Sequence, residues 1–403
     1  MFERICIATF SVYQNNKRTA INGMVEPLLS FFLPQTTELD LVDGPHPGSS
    51  TTVTKFEKHQ DGIFSSGESF VAKMMSPLLT PQNQNGTQVF FKLRDFLSVF
   101  ELIVRRRKKY DVFIGLESVF TLAGIILKKL GMITTVIYYV SDYSPKRYPV
   151  KRLNDIYLWL DRFCCYNADY IWDVSPAIMP ARIESGIDKP RVKPCILVPN
   201  ALFPNQITHL PSNKLIKNSV VFAGTFGFEN GTKLAIDAFS YVAKDNSEAT
   251  LHFFGGSKQL EEELRKIVLS LHLEKNVFFH GFVADAVQLS KKINKYMIGI
   301  APYVAMPGSA RWYADATKIR LYLGAGLPIV TTHVPPLGKE IREKGAGIVV
   351  QDKPKELANA ITSLLADKEQ YNRMRKAALA YALNNTWEET YAHALSFMYK
   401  KGK

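Results

Sequence analysis

The chain has 403 residues, of which 46% are hydrophobic and 22% are charged. These proportions are typical of globular proteins, so they exclude a collagen-like or wholly disordered chain. The length predicts two domains of about 200 residues each. The formal net charge of +13 is spread over both halves, which permits an anionic partner such as a membrane surface or a phosphorylated small molecule. The charge also permits nucleic acid, but no recognised binding motif accompanies it, so we expect no nucleic-acid partner.

The cysteines and the apolar runs indicate the compartment. No Cys-x-x-Cys pair or zinc-type spacing occurs, which favours a reducing environment. Glu3 and Arg4 interrupt the first apolar run, which therefore predicts a buried strand rather than a signal peptide. Lys128 and Lys129 break the longest apolar stretch, so we expect no membrane-spanning helix. These features predict a cytosolic protein, with attachment to the inner face of a membrane left open.

Short β-rich runs alternate with helical patterns along the chain, which predicts βαβ units with parallel sheets. In the first half, strands are predicted near Arg4–Ala8, Glu38–Val42, Asp111–Ile114, Thr134–Tyr139, Tyr170–Val174 and Ile196–Pro199. The helices between them are predicted near Ile21–Phe32, Val89–Lys108, Phe120–Leu130, Leu153–Tyr166 and Ala177–Ser185. In the second half, strands are predicted at Ser219–Gly224, Thr250–Phe254, Val277–His280, Met297–Ala301, Pro328–Thr332 and Gly347–Val350. Helices are predicted at Lys233–Ala243, Gln259–Leu271, Thr317–Leu323 and Lys355–Ala366.

These patterns predict an α/β protein with one doubly wound domain over residues 1–199 and another over residues 219–386. Residues 200–218 contain Pro204 and Pro211 among polar residues and are predicted to be a linker. Residues 44–87 are rich in Gly, Pro, Ser, Thr and Gln, and are predicted to be a long loop that either closes over a ligand or is mobile. Ligands of open α/β sheets bind at the carboxyl ends of the strands, so the chemistry is expected in the turns that follow them.

The segment from Tyr313 to Thr332, YADATKIRLYLGAGLPIVTT, contains the clearest candidate site. It predicts a helix that begins near Asp315 and stops at a Gly-Ala-Gly turn. Lys318 follows Asp315 by three residues and precedes Tyr322 by four, so the three side chains share one stripe of the helix. A lysine on the exposed face of a helix N-terminus suits a diphosphate, because the free N–H groups, the helix dipole and the cation all favour an anion. The alternative is an ordinary helix with a solvated Asp–Lys pair.

This segment resembles the donor motif of nucleotide-sugar-dependent glycosyltransferases of the GT-B fold, especially family 4. Lys318, Tyr322, Gly324, Gly326 and the following Leu-Pro-Ile-Val match the family's lysine, glycine stop and strand. Other motifs occur in the family's order: ILVPNAL (196–202), VVFAGTFGFENGTKLAIDAF (220–239), LHFFGGS (251–257), NVFFHGFV (276–283) and TWEETYAHAL (386–395). The resemblance is dense over residues 196–395 and thinner before them.

The resemblance implies two doubly wound Rossmann-like domains facing a central cleft. It implies an acceptor-binding domain at 1–199, a donor-binding domain at 219–386 and a last helix at 387–400 that packs back on the first domain. The donor site is then expected to include Gly224, Thr225, Gly255, Arg311, Asp315, Thr317, Lys318 and Tyr322. Lys318 is also expected to stabilise the charge of the leaving diphosphate, and is therefore a candidate catalytic residue.

Some positions depart from the family pattern. Leu321 stands where many family members have a glutamate that binds the ribose, and Thr225 and Asn230 replace expected cations. The chain is therefore either a divergent branch or a non-catalytic GT-B subunit that scaffolds a partner transferase. No Asp-x-Asp motif occurs, so we expect no catalytic metal and no cofactor other than the nucleoside-diphosphate sugar itself as donor substrate.

The first domain offers weaker candidates. Asp142 follows an apolar strand in YYVSDYSPKR, where a carboxylate could act as general base or orient a sugar, or could simply form a turn before Pro145. Lys17 and Arg18 follow the first strand and could bind an anionic acceptor or the diphosphate, although a solvated loop explains them somewhat better.

The amphipathic stretch Val89–Asp111 ends in a run of cations, Arg105, Arg106, Arg107, Lys108 and Lys109. It is either a sheet-packing helix whose cations suit its dipole, or a patch that docks on an anionic membrane surface.

These observations predict a metal-independent hexosyltransferase that moves a sugar from a nucleoside diphosphate to a glycan, lipid-linked or polysaccharide acceptor. The family favours retention of anomeric configuration, whereas a true base at Asp142 would imply inversion, so the stereochemistry stays open. The sequence lacks the His and Glu clusters of a nucleotide-sugar epimerase, which argues against that activity. The sugar, the base and the acceptor are not specified by the sequence.

Overall fold

The computed structural model describes residues 2–15, 17–19, 24–79 and 88–401. The chain divides into two compact units. The first unit comprises Met1–Val198 together with Tyr391–Lys403, and the second comprises Pro199–Thr390. Each unit is built around its own sheet.

The first unit contains a sheet with the order β5-β4-β3-β1-β6-β7-β8-β9, and β2 pairs with β1 outside this path. The strands are β1 (Phe2–Gln14), β2 (Lys17–Thr19), β3 (Thr36–Pro45), β4 (Lys55–Gln60), β5 (Ile63–Glu68), β6 (Tyr110–Leu116), β7 (Ile133–Val140), β8 (Tyr170–Asp173) and β9 (Cys195–Leu197). The helices are α1 (Val25–Phe32), α2 (Phe70–Met75), α3 (Gln88–Arg106), α4 (Ser118–Lys129), α5 (Lys151–Asn167) and α6 (Ile178–Glu184). The N-terminal part of the predicted helix at 21–32 lies outside the described residues.

The centre of this sheet is parallel and buried on both faces. β1 pairs in parallel with β3 and with β6, and the residues Ile5 to Ala8 are fully buried. Continuous apolar strands of this kind are typical of parallel sheets covered by helices. The prediction of a parallel α/β sheet from the apolar runs is confirmed.

Residues 44–79 differ from the predicted long loop. They contain the antiparallel hairpin β4–β5, which extends the sheet beyond β3, and the helix α2. The hairpin turn is Asp61–Gly62, and both residues have positive φ. An Asp-Gly pair is a strong hairpin signal. The flanking strands are so polar, however, that no alternation of apolar residues marked them. Residues 80–87 of the predicted loop lie outside the described residues.

The second unit contains a six-stranded, fully parallel sheet with the order β12-β11-β10-β13-β14-β15. The strands are β10 (Ser219–Ala223), β11 (Thr250–Phe254), β12 (Val277–Phe279), β13 (Ile298–Ala301), β14 (Ile329–Thr332) and β15 (Gly347–Val350). The helices are α7 (Thr232–Asp245), α8 (Lys258–Ser270), α9 (Ala286–Ile293), α10 (Thr317–Gly324), α11 (Pro336–Glu343), α12 (Pro354–Ala366), α13 (Lys368–Leu383) and α14 (Trp387–Lys401). All six predicted strands are present within a residue or two of their predicted bounds.

The predicted linker and the last helix are packed parts of the fold. In the predicted linker, Thr208 N–H donates to Gly324 O and Ile216 N–H donates to Lys295 O, at 2.9 and 2.8 Å. These residues are therefore part of the second unit. The last helix, α14, begins in the second unit and continues in the first. There Tyr391 packs against Trp172 in the first unit's core.

Candidate functional site

The carboxyl ends of β10 and β11 are lined by glycines. Gly224 follows β10 with φ +143° and Gly255 follows β11 with φ +121°, both in the region that favours glycine. A Cβ on Gly255 would lie 2.1 Å from Gly224 O, so a side chain there is excluded. The glycines let the backbone segments that follow β10 and β11 pack closely together, and Gly224 stays partly exposed at this edge of the sheet.

Lys318 occupies the space beside Gly224. Its side chain is only 8% exposed, and a Cβ on Gly224 would lie 3.3 Å from Lys318 Cε. The Nζ atom lies 4.2 Å from the ring centroid of Phe222 and 4.5 Å from that of Tyr303. It has no hydrogen-bond partner in the described part of the chain. The sequence predicted a lysine on an exposed face of the helix, and this prediction was wrong about its burial.

The charge of Lys318 is poorly supported by its surroundings. Burial lowers the pKa of Lys318 well below its usual range, and the nearby Arg311 guanidinium lowers it further. The faces of the two aromatic rings favour a cation by about 0.5–2 kcal/mol, which offsets only part of the cost of burial. An unpaired buried amine next to a second cation is an arrangement that an anion would stabilise.

Arg311 and the start of α10 complete this cluster. Arg311 is half-buried in a single 3₁₀ turn, Ala310–Trp312, and its guanidinium has no ion pair or hydrogen bond within the described ranges. The helix α10 begins at Thr317, and its N-cap residue Ala316 provides no side-chain cap. The first amides of the helix, those of Thr317 and Lys318, therefore remain available to an anion. Lys318, Arg311 and these amides form what we call the cationic cluster.

Two predicted donor residues have structural roles instead. Asp315 precedes α10, and its carboxylate accepts from Arg320 Nε and Nη2 at 2.7 and 2.8 Å and from Asn200 N–H at 2.8 Å. Tyr322 is 0% exposed, and its hydroxyl accepts from Ala223 N–H and donates to Ile300 O. Both groups are therefore hydrogen-bonded inside the unit, and their predicted contacts with a donor stay a prediction. Thr225 and Thr317 are exposed at the same edge as Gly224 and Lys318.

The predicted residues of the first unit do not form one site. The Asp142 side chain is 50% exposed, and its carboxylate lies 3.1 Å from Arg147 Nη1 within the same turn. Arg18 is ion-paired with Asp43 at 2.7 Å and with Glu57, so it is not a solvated loop residue, and its role in binding an acceptor stays a prediction. Lys17 is exposed in the short strand β2.

Glu117 has the most unusual backbone in the first unit. It lies between β6 and α4 with φ 73° and ψ 164°, a region that is almost restricted to glycine and costs about 1–3 kcal/mol for other residues. Its carboxylate accepts from Lys92 Nζ at 3.0 Å and from Arg147 Nη2 at 2.9 Å. Burial alone would raise the pKa of Glu117, but these two cations hold it at about 2. Sequence reasoning missed this residue, because a single Glu after a strand carries no motif.

A cavity of about 330 Å³ opens beside Glu117. Its apolar walls are Phe10, Phe91, Tyr148 and three prolines, and its polar lining is His46, Lys92, Asp95, Glu117 and Arg147. Arg94 fixes the wall by donating to Pro45 O and Thr52 O, both at 2.8 Å. The segment after β3 that was predicted as a loop therefore forms one side of a cavity.

The basic run at the end of α3 is more neutralised than predicted. Arg105 pairs with Glu101, Arg106 with Asp40 and Lys108 with Glu38. Among the described residues, Arg107 and Lys109 have no ion-pair partner. Large apolar side chains are instead exposed on α2, on the turn after it and on the start of α3, two helices that pack together. We call them the α2–α3 apolar surface: Phe70, Met74, Leu78, Val89, Phe90 and Leu93.

Within the described ranges, no three His, Cys, Asp or Glu side chains come together as a metal site. The metal-free mechanism stays a prediction. No helix in the described part of the chain has the length and apolarity needed to cross a bilayer.

Comparison with known proteins gives a family match for part of the chain. Residues 217–367 match the family described as "Glycosyl transferases group 1". The chain is 24% identical to spore coat protein SA of Bacillus subtilis (strain 168) over 195 residues, which are 46% of this chain and 50% of that protein. The chain thus aligns with about half the length of this curated relative.

Solved structures show the fold over nearly the whole chain. An α,α-trehalose-phosphate synthase (UDP-forming) from Burkholderia vietnamiensis is similar with a TM-score of 0.69 and 12% identity, covering 98% of this chain and 100% of that one. HepE of Anabaena, crystallised in complex with UDP, is similar with a TM-score of 0.67 and 15% identity, covering 98% and 99%. WaaG, a glycosyltransferase involved in lipopolysaccharide biosynthesis, gives a TM-score of 0.62 and 12% identity, covering 97% and 98%. The chain therefore has the GT-B fold of these structures, and residues 217–367 match the glycosyl transferases group 1 family.

Proposed function

We propose that this protein transfers a sugar from a nucleoside-diphosphate sugar to a hydroxyl group of a glycan or lipid-linked acceptor. In this reaction the bond between the anomeric carbon and the diphosphate oxygen breaks, and a bond between that carbon and the acceptor oxygen forms. The acceptor hydroxyl loses its proton, and the nucleoside diphosphate leaves with the bonding electron pair. The family match over residues 217–367 and the UDP bound in HepE support a nucleotide-sugar donor.

The unpaired, buried amine of Lys318 is the observation that carries the donor proposal. A buried cation is costly unless it is paired, so its position beside Arg311 and the free amides of α10 is best explained by an anionic ligand. A diphosphate supplies that charge, and Gly224, which is partly exposed and has no side chain, lets it approach. During transfer, Lys318 and the helix amides would stabilise the negative charge that develops on the leaving diphosphate.

The donor proposal is tested by binding and turnover together. A thermal-shift screen of nucleoside diphosphates and their sugars selects the base, and calorimetry then compares the parent with Lys318→Ala. Loss of a charge-assisted hydrogen bond is expected to weaken binding by about 1.5–3 kcal/mol. Lys244→Ala is the matched control, because Lys244 is exposed in the last turn of α7 and lies outside the cationic cluster.

The possible results separate the rival functions. An unchanged dissociation constant in Lys318→Ala would show that the diphosphate binds elsewhere. Tight donor binding without release of nucleoside diphosphate, across a broad acceptor panel, would favour the non-catalytic subunit that scaffolds a partner transferase.

We also propose that the α2–α3 apolar surface docks the protein on an anionic membrane that carries a lipid-linked acceptor. The surface exposes six large apolar side chains, and Arg107 and Lys109 at the far end of α3 provide unpaired positive charge. Exposed apolar patches of this kind mark interaction surfaces, and cations at the other end of the same helix favour a membrane with negatively charged headgroups. The attachment point thus moves from the predicted basic run to the apolar side chains near the start of α3.

Vesicle co-sedimentation tests the membrane proposal. Phe70→Ser combined with Phe90→Ser is expected to abolish partition into anionic vesicles, because each buried Phe contributes about 1.5–3 kcal/mol. Neutralising Arg107 and Lys109 is expected to cost about 1 kcal/mol per residue and to reduce the salt dependence. Equal partition of the parent and both variants would leave α3 as a sheet-packing helix only.

A further inference from the structure

We infer that the cavity beside Glu117 binds an uncharged, hydroxyl-rich sugar ring, with Glu117 and Lys92 as the groups that hold its hydroxyls. This inference rests on the proposed function, since it names the chemical class of the acceptor. It concerns residues of the first unit alone, so it is tested independently of the donor site.

The backbone at Glu117 is the first supporting observation. Its φ of 73° and ψ of 164° are unfavourable for any residue with a side chain. Three contacts hold it there: its N–H donates to Tyr139 O at 3.1 Å, its carbonyl accepts from Thr121 N–H, and its carboxylate is clamped by two cations. Strain of this kind persists at sites where the position of a side chain matters. A glycine would fit this backbone better, which indicates that the carboxylate is needed.

The hydrogen-bonding capacity left at this cluster suits hydroxyl groups. Each carboxylate oxygen of Glu117 accepts one bond from a cation and keeps a second acceptor site. The Lys92 ammonium has three donors, of which one is directed to Glu117. A sugar hydroxyl both donates and accepts, so it can bond to Glu117 and Lys92 together.

The charge around the cavity is balanced, which argues against an anionic ligand. The cations at or bonded to its lining are Arg94, Lys92 and Arg147, and the carboxylates are Asp95, Glu117 and Asp142. Three positive groups face three negative ones. A phosphate or carboxylate on the ligand would therefore lack the unpaired cations that the second unit offers.

The volume and the apolar walls of the cavity also suit a sugar ring. A volume of about 330 Å³ lies at the lower end of the range of small-molecule sites, about 300–1,000 Å³. Phe10, Phe91 and Tyr148 provide apolar surfaces for the C–H faces of a pyranose. His46 stands at the mouth of the cavity, exposed, with Nδ1 2.8 Å from Pro47 O. The cavity thus fits the end of a glycan chain.

Binding of free glycosides to the full chain tests the inference without any need for turnover. Saturation-transfer NMR is measured with neutral methyl glycosides of glucose, galactose, mannose and N-acetylglucosamine, and with methyl glucuronide and glucose 6-phosphate as anionic probes. We expect at least one neutral glycoside to bind, and the anionic probes to bind at least about tenfold more weakly. Glu117→Gln is expected to weaken the neutral glycoside about 10-fold to 100-fold.

A second variant guards against loss of folding, because Glu117→Gln leaves two cations without their partner. His46→Trp changes an exposed residue and fills the mouth of the cavity, so it is expected to abolish glycoside binding in a folded protein. Asp169→Asn is the control, since Asp169 pairs with Lys128 at the start of β8, away from the cavity. Its glycoside affinity is expected to equal that of the parent.

The inference is overturned if no neutral glycoside binds, if the anionic probes bind more tightly, or if the His46→Trp protein binds as the parent does. Nucleoside-diphosphate calorimetry on the same samples keeps the two proposals apart. Failure of nucleotide binding with intact glycoside binding contradicts the donor proposal only. Intact nucleotide binding without glycoside binding contradicts only the cavity's role.

Discussion

Binding of a nucleoside diphosphate is expected to be accompanied by uptake of a proton, because burial disfavours the charged form of Lys318 in the empty site and a bound diphosphate favours it. Burial, with Arg311 nearby, holds the pKa of Lys318 in the empty protein well below its usual range. The charged and titratable groups around it are Arg311 on the 3₁₀ turn, Tyr303 after β13, and Asp315. The Asp315 carboxylate is already paired with Arg320. None of them supplies the anion that a diphosphate would bring.

The size of the effect follows from linkage between the proton and the ligand. At pH values between the pKa of Lys318 in the empty protein and that in the bound protein, Lys318 takes up as much as about one proton for each diphosphate that binds. The affinity then falls by as much as about tenfold, or 1.36 kcal/mol, for each unit by which the pH rises. In Lys318→Arg the cation cannot lose its proton, so the affinity is expected to be nearly independent of pH.

Calorimetry in buffers of different ionisation enthalpy measures this proton directly. The titrations are run at pH 8–9, because phosphate oxygens titrate near pH 6 and would add their own protons at lower pH. We expect uptake in the parent and none in Lys318→Arg. Uptake indistinguishable from zero in the parent, or equal uptake in both proteins, would refute the reasoning.

Four further results are expected. Lys318→Met is expected to raise the melting temperature of the empty protein, most clearly at neutral pH. The reason is that the unfolded chain keeps this lysine charged, whereas the folded unit disfavours the charge. An unchanged melting temperature would contradict this cost of burial. Arg182→Met is expected to destabilise the first unit by about 3–5 kcal/mol, since it leaves Asp161 and Asp173 buried without their cation. In the same denaturant titration, Arg373→Met is expected to cost less than about 1 kcal/mol, because the pair of Arg373 with Glu369 is exposed. Burial, with His280 and Lys295 nearby, lowers the pKa of His252 to about 4, so acidification from pH 6.5 to 4 is expected to lower the melting temperature more in the parent than in His252→Leu. Asp142→Asn tests the predicted base: a fall of about 10²–10⁴ in turnover with unchanged nucleotide affinity would support it, and a parental rate would leave Asp142 as a turn residue.

The elements that could be predicted are those whose signal is local. The strands of the second unit are short apolar runs, and the parallel sheet buries both faces of them, so their positions follow from the sequence. The helix α10 was predicted because its start and its glycine stop are close together in the chain. The hairpin β4–β5 carries its signal only in the Asp61–Gly62 turn.

The remaining features depend on partners that are distant in the sequence. Tyr322 is buried because its hydroxyl bonds to Ala223 and Ile300 on two other strands. Arg106 and Lys108 are neutralised by Asp40 and Glu38, about 70 residues earlier. Glu117 becomes a candidate only when Lys92 and Arg147 are seen to converge on its carboxylate. The pattern of a helix does not show which of its faces packs against the sheet. A run of cations does not show which carboxylates pair with it in the folded chain.

A crystal structure of the full chain with the nucleoside diphosphate selected by the thermal-shift screen tests the central claim most directly. The proposal predicts diphosphate oxygens within hydrogen-bond distance of Lys318 Nζ and of the Thr317 and Lys318 amides, with the phosphates beside Gly224. A diphosphate bound away from these atoms, with Lys318 still unpaired between Phe222 and Tyr303, would contradict it.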